Sequence, residues 1–320
     1  MKVLITGITG QDGIFLTKII QNKHKEFEIL GISRSTNNIL FKKIINYSQF
    51  TNNQIVQLIN INLLNKVEVS KLIKDFKPNF IYNLSGPSSV YESLNNPNIE
   101  NQIKLVFKNL TESLIEDKNF CRFFQASSSE MFGSNKKTYI FDENDDFFPN
   151  SPYARGKLAN HLEVQNLKLK FDWNIYSGIM FNHESEYRKK EYLLMQLLHS
   201  AKSISNGDKN KFSVGSLEYV RDWSYAKDIA NGIYLLTNYG KDSSYVLGSG
   251  KGTSIEELIK IIFNYFKINY KEYIVVDRSI LRPNDKLKII SKPLKINKEL
   301  GWKTELTVEN FCEKIIKSLN

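Results

Sequence analysis

The chain has 320 residues and carries 44 Lys plus Arg against 34 Asp plus Glu, a net charge of +10. That length suits two domains, or one large domain with an appendage, and a sizeable core. Hydrophobic residues make up 41% and charged residues 24%, which excludes a disordered or fibrous chain, and no apolar run is long enough for a membrane span.

Short apolar runs alternate with amphipathic stretches through the first half. The pattern predicts strands over 3–6, 28–32, 55–59, 79–83, 122–126 and 174–181, and helices over 13–21, 67–74, 99–115 and 154–170. Such alternation argues for βαβ units, hence an α/β fold with a Rossmann-type doubly wound parallel sheet. After residue 182 the pattern changes. Helices are expected over 192–203, 225–236, 255–266 and 308–318, with short strands over 211–214, 244–247 and 273–276. We expect a dinucleotide-binding domain over 1–182, with 215–240 returning to it. A smaller mixed α/β C-terminal substrate lobe should occupy 183–320.

Two cysteines, Cys121 and Cys312, sit in apolar surroundings, which suits a reducing cytoplasm better than a disulfide framework. The surplus of Lys and Arg is compatible with nucleic acid, a membrane surface or a phosphorylated small molecule. No helix-turn-helix signal or aromatic-flanked basic patch supports nucleic acid, so neither a nucleic-acid nor a membrane partner is expected. No metal site is expected.

Four motifs carry chemistry. Thr6-Gly7-Ile8-Thr9-Gly10-Gln11-Asp12-Gly13 lies between the first strand and the first helix. Glycines there permit a tight turn and close approach of a pyrophosphate to a helix N-terminus. The second strand ends in Ser33-Arg34-Ser35 with no adjacent acid. An Arg at that point receives the 2′-phosphate of NADP, whereas an acid would bind the ribose of NAD, so NADP is expected in preference to NAD. Tyr153 and Lys157 share one helical face at i, i+4, and a neighbouring ammonium favours a phenolate that can take a proton from a sugar hydroxyl. Gln125-Ala126-Ser127-Ser128-Ser129-Glu130 follows the fifth strand. Ser128 is suited to hydrogen-bond the reacting oxygen. Glu130 is a carboxylate that simple carbonyl reduction does not need, but proton abstraction next to a ketone does.

Together these residues resemble the extended short-chain dehydrogenase/reductase superfamily and, within it, the GDP-mannose 4,6-dehydratase family. The match continues through Tyr82-Asn83-Leu84, Ser151-Pro152-Tyr153, Phe181-Asn182-His183-Glu184-Ser185, Arg221-Asp222-Trp223, Arg282-Pro283 and Leu300-Gly301-Trp302-Lys303. The resemblance implies cofactor contacts at Gly7, Thr9, Gly10, Gln11, Asp12, Gly13, Arg34, Asn62, Leu63, Leu84, Tyr153, Lys157 and His183. It implies substrate contacts at Ser88, Asn182, Arg188, Arg221 and Arg282, with Ser128, Glu130, Tyr153 and Lys157 catalytic. It further implies an internal redox cycle on a GDP-sugar. Hydride leaves sugar C4 for NADP, Glu130 removes the C5 proton, water departs from C6, and hydride returns to C6. A homodimer or homotetramer is implied as well.

The chain departs from the family pattern around the substrate. Position 128 is Ser rather than Thr, Asn62 replaces Asp, and Ser85-Gly86-Pro87-Ser88-Ser89 replaces Ala-Ala-x-Ser-His. Glu186-Tyr187-Arg188-Lys189 replaces Pro-Arg-Arg-Gly, and Asp285 replaces Glu. The expected substrate is therefore GDP-mannose or a close GDP-sugar such as a GDP-manno-heptose. A GDP-sugar 4-reductase, 4-dehydrogenase or epimerase stays open, as does a non-catalytic Rossmann binding module.

Overall fold

The computed structural model describes residues 1–35, 41, 56–87, 90–133, 138–281 and 285–319. In chain order its first part runs β1 (Lys2–Thr6), α1 (Gln11–Lys23), β2 (Glu28–Ile32), β3 (Val56–Ile59), α2 (Lys66–Phe76), β4 (Phe80–Asn83), α3 (Val90–Asn95), α4 (Asn98–Glu116), β5 (Arg122–Ser128), β6 (Ile140–Phe141), α5 (Pro152–Phe171) and β7 (Ile175–Met180). It continues with β8 (Asn182–Glu184), α6 (Leu193–Ser205), β9 (Phe212–Val214), β10 (Val220–Tyr225), α7 (Ala226–Tyr239), β11 (Ser244–Leu247), β12 (Gly252–Ser254), α8 (Ile255–Tyr265), β13 (Ile274–Val276), β14 (Lys288–Ser291), α9 (Leu294–Leu300) and α10 (Val308–Ser318).

Seven strands form the main sheet in the order β11-β7-β5-β4-β1-β2-β3, and every pairing is parallel. A parallel sheet must be covered on both faces, so its strands read as apolar runs. All four residues of β4 are buried, as are four of the five in β1. On one face α1 packs against α7, and on the other α4 lies between α2 and α5. The strand order reverses between β1 and β4, which puts a crevice at the C-terminal ends of these strands.

Beyond residue 182 the chain returns to this sheet. The amphipathic helix α7 buries Ile229, Ile233 and Leu236, and it delivers β11, all of whose residues are buried, to the sheet edge beside β7. The strand expected over 244–247 thus belongs to the main sheet, not to the smaller lobe. That lobe is built on the order β12-β10-β14-β6, with β8 also paired to β10, and a separate β13-β9 pair. β6 enters it from the first half of the chain. Among the described residues no helix is long and apolar enough to cross a membrane.

Arg221 and Asp222 interrupt the apolar pattern of β10, which is not among the expected strands. The structure satisfies both. Asp222 is 1% exposed and its carboxylate accepts from the backbone N–H groups of Ser249, Gly250 and Ser291 and from the hydroxyls of Ser249 and Ser291. One carboxylate thereby fixes the turn after β11 and the end of β14. Truncation would leave these buried donors unpaired. Asp222→Ala is expected to lower the free energy of unfolding by on the order of 3 kcal/mol, read from urea denaturation. A change under about 0.5 kcal/mol would show the carboxylate to be dispensable.

Candidate active site

The glycine loop follows directly from β1. Gly7 sits at φ +69°, and a Cβ there would lie 2.9 Å from the Leu84 carbonyl oxygen. At Gly13 a Cβ would lie 2.5 Å from the Ile8 backbone, so only glycine lets the loop close onto the start of α1. Gly10 precedes α1 with extended backbone and caps it without a side chain, which leaves the first N–H groups of the helix directed outward. This cradle fits the diphosphate of a dinucleotide.

Neighbouring positions complete the rim. Thr9 faces Ser33 across 3.3 Å between hydroxyls, and Arg34 is exposed just past β2. Asn62 uses its side-chain oxygen to accept from Leu64 N, and Leu63 holds Asn109 through its carbonyl. Gln11 points away from the loop. Its amide donates to the His183 carbonyl at 2.9 Å and its oxygen accepts from Ser185 at 2.9 Å.

A cleft of about 530 Å³ opens where the sheet edge meets the smaller lobe. It is lined by Asp12, Leu84, Ser128, Glu130, Tyr153, Lys157, Asn182, His183, Arg188 and Arg221. The structure thus brings together the expected catalytic residues and most of the expected substrate contacts. Ser88 and Arg282 lie outside the described residues.

The wall that carries the expected catalytic residues is formed by β5 and α5. Ser151 caps α5 by accepting from Ala154 N at 3.1 Å, and Pro152 occupies the first turn, so Tyr153 and Lys157 are presented on successive turns. Tyr153 lines the cleft together with Ser128. Burial pushes its pKa up to about 12, against the lowering effect of Ser128. Lys157 is 5% exposed, donates to the Ala126 carbonyl at 2.8 Å and lies 5.6 Å from the centre of the Tyr153 ring. Burial lowers its pKa to about 8, opposed by the charge of Asp12. Glu130 stands on the short turn after β5, and its backbone N–H donates to Ser128 at 3.2 Å. Phe132, stacked on Phe141 and Phe147, anchors that turn in a small apolar cluster.

On the opposite wall two arginines have partners within the protein. Arg188 lies over the Tyr192 ring at 3.5 Å, with its Nε 3.3 Å from the Glu184 carboxylate. Arg221 pairs with Asp285 at 2.7 Å and donates to the carbonyls of Val220 and Lys286. A ligand phosphate would share or displace these partners. Asp285, which replaces the family's Glu, thus holds an arginine in place. Sequence reading assigned no role to Tyr91, Tyr192, Gln196, Tyr219, Glu184 or Trp223, all of which line the cleft. The Trp223 indole N–H is buried without a hydrogen-bond partner. Only Glu184 and Trp223 carried a signal, as members of quoted motifs. The others come from segments with no motif.

Known proteins share the family and the fold of this chain. A family model described as GDP-mannose 4,6 dehydratase matches residues 4–315. The chain is 29% identical over 321 residues to GDP-mannose 4,6 dehydratase 2 of Arabidopsis thaliana, covering 98% of this chain and 85% of that one. Among solved structures, dTDP-glucose 4,6-dehydratase from Bacillus anthracis in complex with NAD superposes with a TM-score of 0.84 at 19% identity, covering 99% of this chain and 96% of that one. RMD from Pseudomonas aeruginosa, solved with NADPH, gives 0.80 at 19% identity, covering 99% and 98%. A family model that spans the sheet, the glycine loop and both walls of the cleft leaves one conclusion: the chain belongs to the GDP-mannose 4,6-dehydratase family.

Proposed function

We propose that the protein is a GDP-sugar 4,6-dehydratase that converts GDP-mannose, or a close GDP-sugar such as a GDP-manno-heptose, to its 4-keto-6-deoxy product. The observation that carries this reading is the convergence of Tyr153, Ser128, Lys157 and Glu130 on one wall of the cleft beside the glycine loop. A reductase or dehydrogenase needs the first three. The carboxylate of Glu130 adds a base for the C5 proton.

The dinucleotide, NADP in our reading because β2 ends in Ser33 and Arg34, supplies the hydride acceptor and donor when bound. The chain's own groups do the rest. The glycine loop and α1 hold the diphosphate. Ser128 donates to the sugar O4, and Tyr153 takes the O4 proton. The ammonium of Lys157 and the positive charge of the oxidised nicotinamide both favour the phenolate. Once C4 is a ketone, its neighbouring C5 proton is acidic enough for Glu130 to remove. Arg188 and Arg221 supply cations for the GDP phosphates, and Asn182 and the Trp223 N–H supply further donors. Two buried unpaired thiols, Cys121 and Cys312, suit a reducing cytoplasm.

Glu130→Gln is expected to lower kcat for water loss by about 10²–10⁴-fold while dinucleotide affinity stays within about twofold. Mass spectrometry of the product from GDP-mannose checks it. Unchanged turnover would remove the dehydratase assignment, and net consumption of NADPH by the wild type would favour a reductase. Lys157→Met removes the cation beside a phenol that burial holds at about 12. Its kcat at pH 7 should fall by about 10²-fold or more, with residual activity rising steadily toward alkaline pH as the phenol ionises. A flat pH profile would exclude Tyr153 as the base.

For the oligomer we infer a homodimer through α4 and α5. A groove of about 530 Å³ between them is lined by Leu105, Phe107, Ile115 and Leu167 and rimmed by Lys104, Lys108, Glu112 and Glu163. Leu105, Leu162 and Leu169 are exposed on the same helices. Rim charges of both signs on one face are self-complementary under a two-fold axis. Leu105→Glu is expected to convert the wild-type dimer to monomer in light scattering, and a wild type that runs as a monomer would overturn the inference.

A further inference from the structure

A guanidinium is planar, with one N–H on its Nε edge and a fork of N–H groups at its Nη end. The face, the edge and the fork are free to serve different partners. In the cleft, Arg188 is held by two of the three. Its guanidinium carbon lies 3.5 Å from the centre of the Tyr192 ring, the separation of two surfaces in full contact. Its Nε lies 3.3 Å from the carboxylate of Glu184, which is buried on β8. Nε is itself buried, without an aligned hydrogen bond. Nη1 and Nη2 hydrogen-bond no other described residue, and Arg188 lines the cleft. The fork is therefore the end left for a ligand. Both supports stand on fixed backbone. The Arg188 N–H donates to the Ser185 carbonyl at 3.0 Å, and the buried Ser185 hydroxyl donates to Gln11 at the start of α1. Tyr192 stands at the start of α6, where its carbonyl accepts from Gln196 N at 2.9 Å. That helix is anchored by the buried side chains of Leu194, Met195, Leu197 and Leu198.

We propose that Tyr192 is a positioning residue for Arg188. Its ring holds the guanidinium flat, so that the Nη fork takes two oxygens of the sugar nucleotide's diphosphate. This deepens the GDP-sugar reading and rests on it. A free arginine loses rotamer freedom when it grips a phosphate, and a side chain already held on one face loses less. Bidentate contact with phosphate also needs the plane of the fork to be set, which a stacked ring does. The cleft must receive two diphosphates, one from the dinucleotide and one from the sugar nucleotide. The glycine loop and the start of α1 fit the first. Arg188 and Tyr192 lie on the opposite wall with Arg221, which assigns them to the second.

Calorimetric titration of the intact protein with GDP and, separately, with NADP tests this. Tyr192→Leu removes the ring and is expected to weaken GDP binding about tenfold, while NADP binding changes less than about twofold. Tyr192→Phe keeps the ring, so GDP binding should stay within about twofold of the wild type. With Arg188→Ala already in place, adding Tyr192→Leu should weaken GDP by less than about twofold, because no guanidinium remains to be positioned. Tyr192→Met, an unbranched apolar side chain, serves the same comparisons should the leucine variant fail to fold. In turnover of GDP-mannose, KM should rise with the GDP dissociation constant while kcat falls less than about threefold. Unmoved GDP affinity in Tyr192→Leu would overturn the role. So would an equal loss with and without Arg188, or a loss of NADP affinity as large as that of GDP. A wild type that binds GDP but never turns over GDP-mannose would strike the dehydratase reading alone, and the binding cycle would still decide the role of Tyr192.

Discussion

A row of hydrogen-bonded side chains crosses the C-terminal edge of the main sheet, and the site is assembled on it. Thr6 donates from its hydroxyl to Asn83, Asn83 donates to Gln125, and Gln125 donates to the carbonyl of Ala126. Lys157 donates to that same carbonyl. Ser85 closes the row by bonding both Thr6 and Asn83. Thr6, Asn83 and Gln125 are at most 2% exposed, so every polar group in the row needs its partner. The row links β1, where the glycine loop begins, through β4 to β5, where the wall with Ser128 and Glu130 begins. Parallel pairing makes this possible, since it brings the C-terminal ends of these strands to one edge.

The same parallel pairing explains what could be read from the chain. β2 and β11 lie at 28–32 and 244–247 as expected, and α10 at 308–318, because a strand buried on both faces or a strongly amphipathic helix declares itself in composition. The smaller lobe was less legible. β6, β8, β12 and β14 have two to four residues each and, unlike the equally short β9 and β13, were not expected. β10 hides its pattern behind Arg221 and Asp222. The sheet membership of β11 is a tertiary fact, set by α7 packing on α1, and no local signal marks it.

At the site, legibility followed backbone demand. The glycine loop was readable because Gly7 and Gly13 leave no room for a side chain. Tyr153 and Lys157 were readable because one helix carries both. The partner of Arg221 was not, because Asp285 lies 64 residues away and meets it only in three dimensions. Glu184 lies four residues from Arg188, but in a segment that is not helical no spacing rule pairs them. For Tyr153 the expected lowering of the pKa joins the Lys157 ammonium to the cation of a bound nicotinamide; among the protein's own groups burial has the largest effect and raises it to about 12. Burial therefore favours the neutral phenol, and the phenolate requires positive charge close by.

That requirement gives a physical reason for the length of the loop motif, which runs on from the glycines into Gln11 and Asp12. Gln11 holds the backbone of β8 at His183 and accepts from the hydroxyl of Ser185 just beyond it, while Asp12 meets the His183 ring. Phe15, one turn further along α1, packs its ring 5.2 Å from Tyr187 and 5.5 Å from Tyr225. These contacts fasten the smaller lobe to the same helix whose N-terminus fits the diphosphate of a dinucleotide. On the proposed reaction the dinucleotide finishes in the oxidation state in which it began, so it has no need to leave between turnovers. The lobes can stay fastened around it while only the sugar nucleotide exchanges through the open side of the cleft. Fastening also holds C4 and C6 of one sugar in turn before a single hydride carrier, and a loosely hinged pair of lobes would lose that geometry.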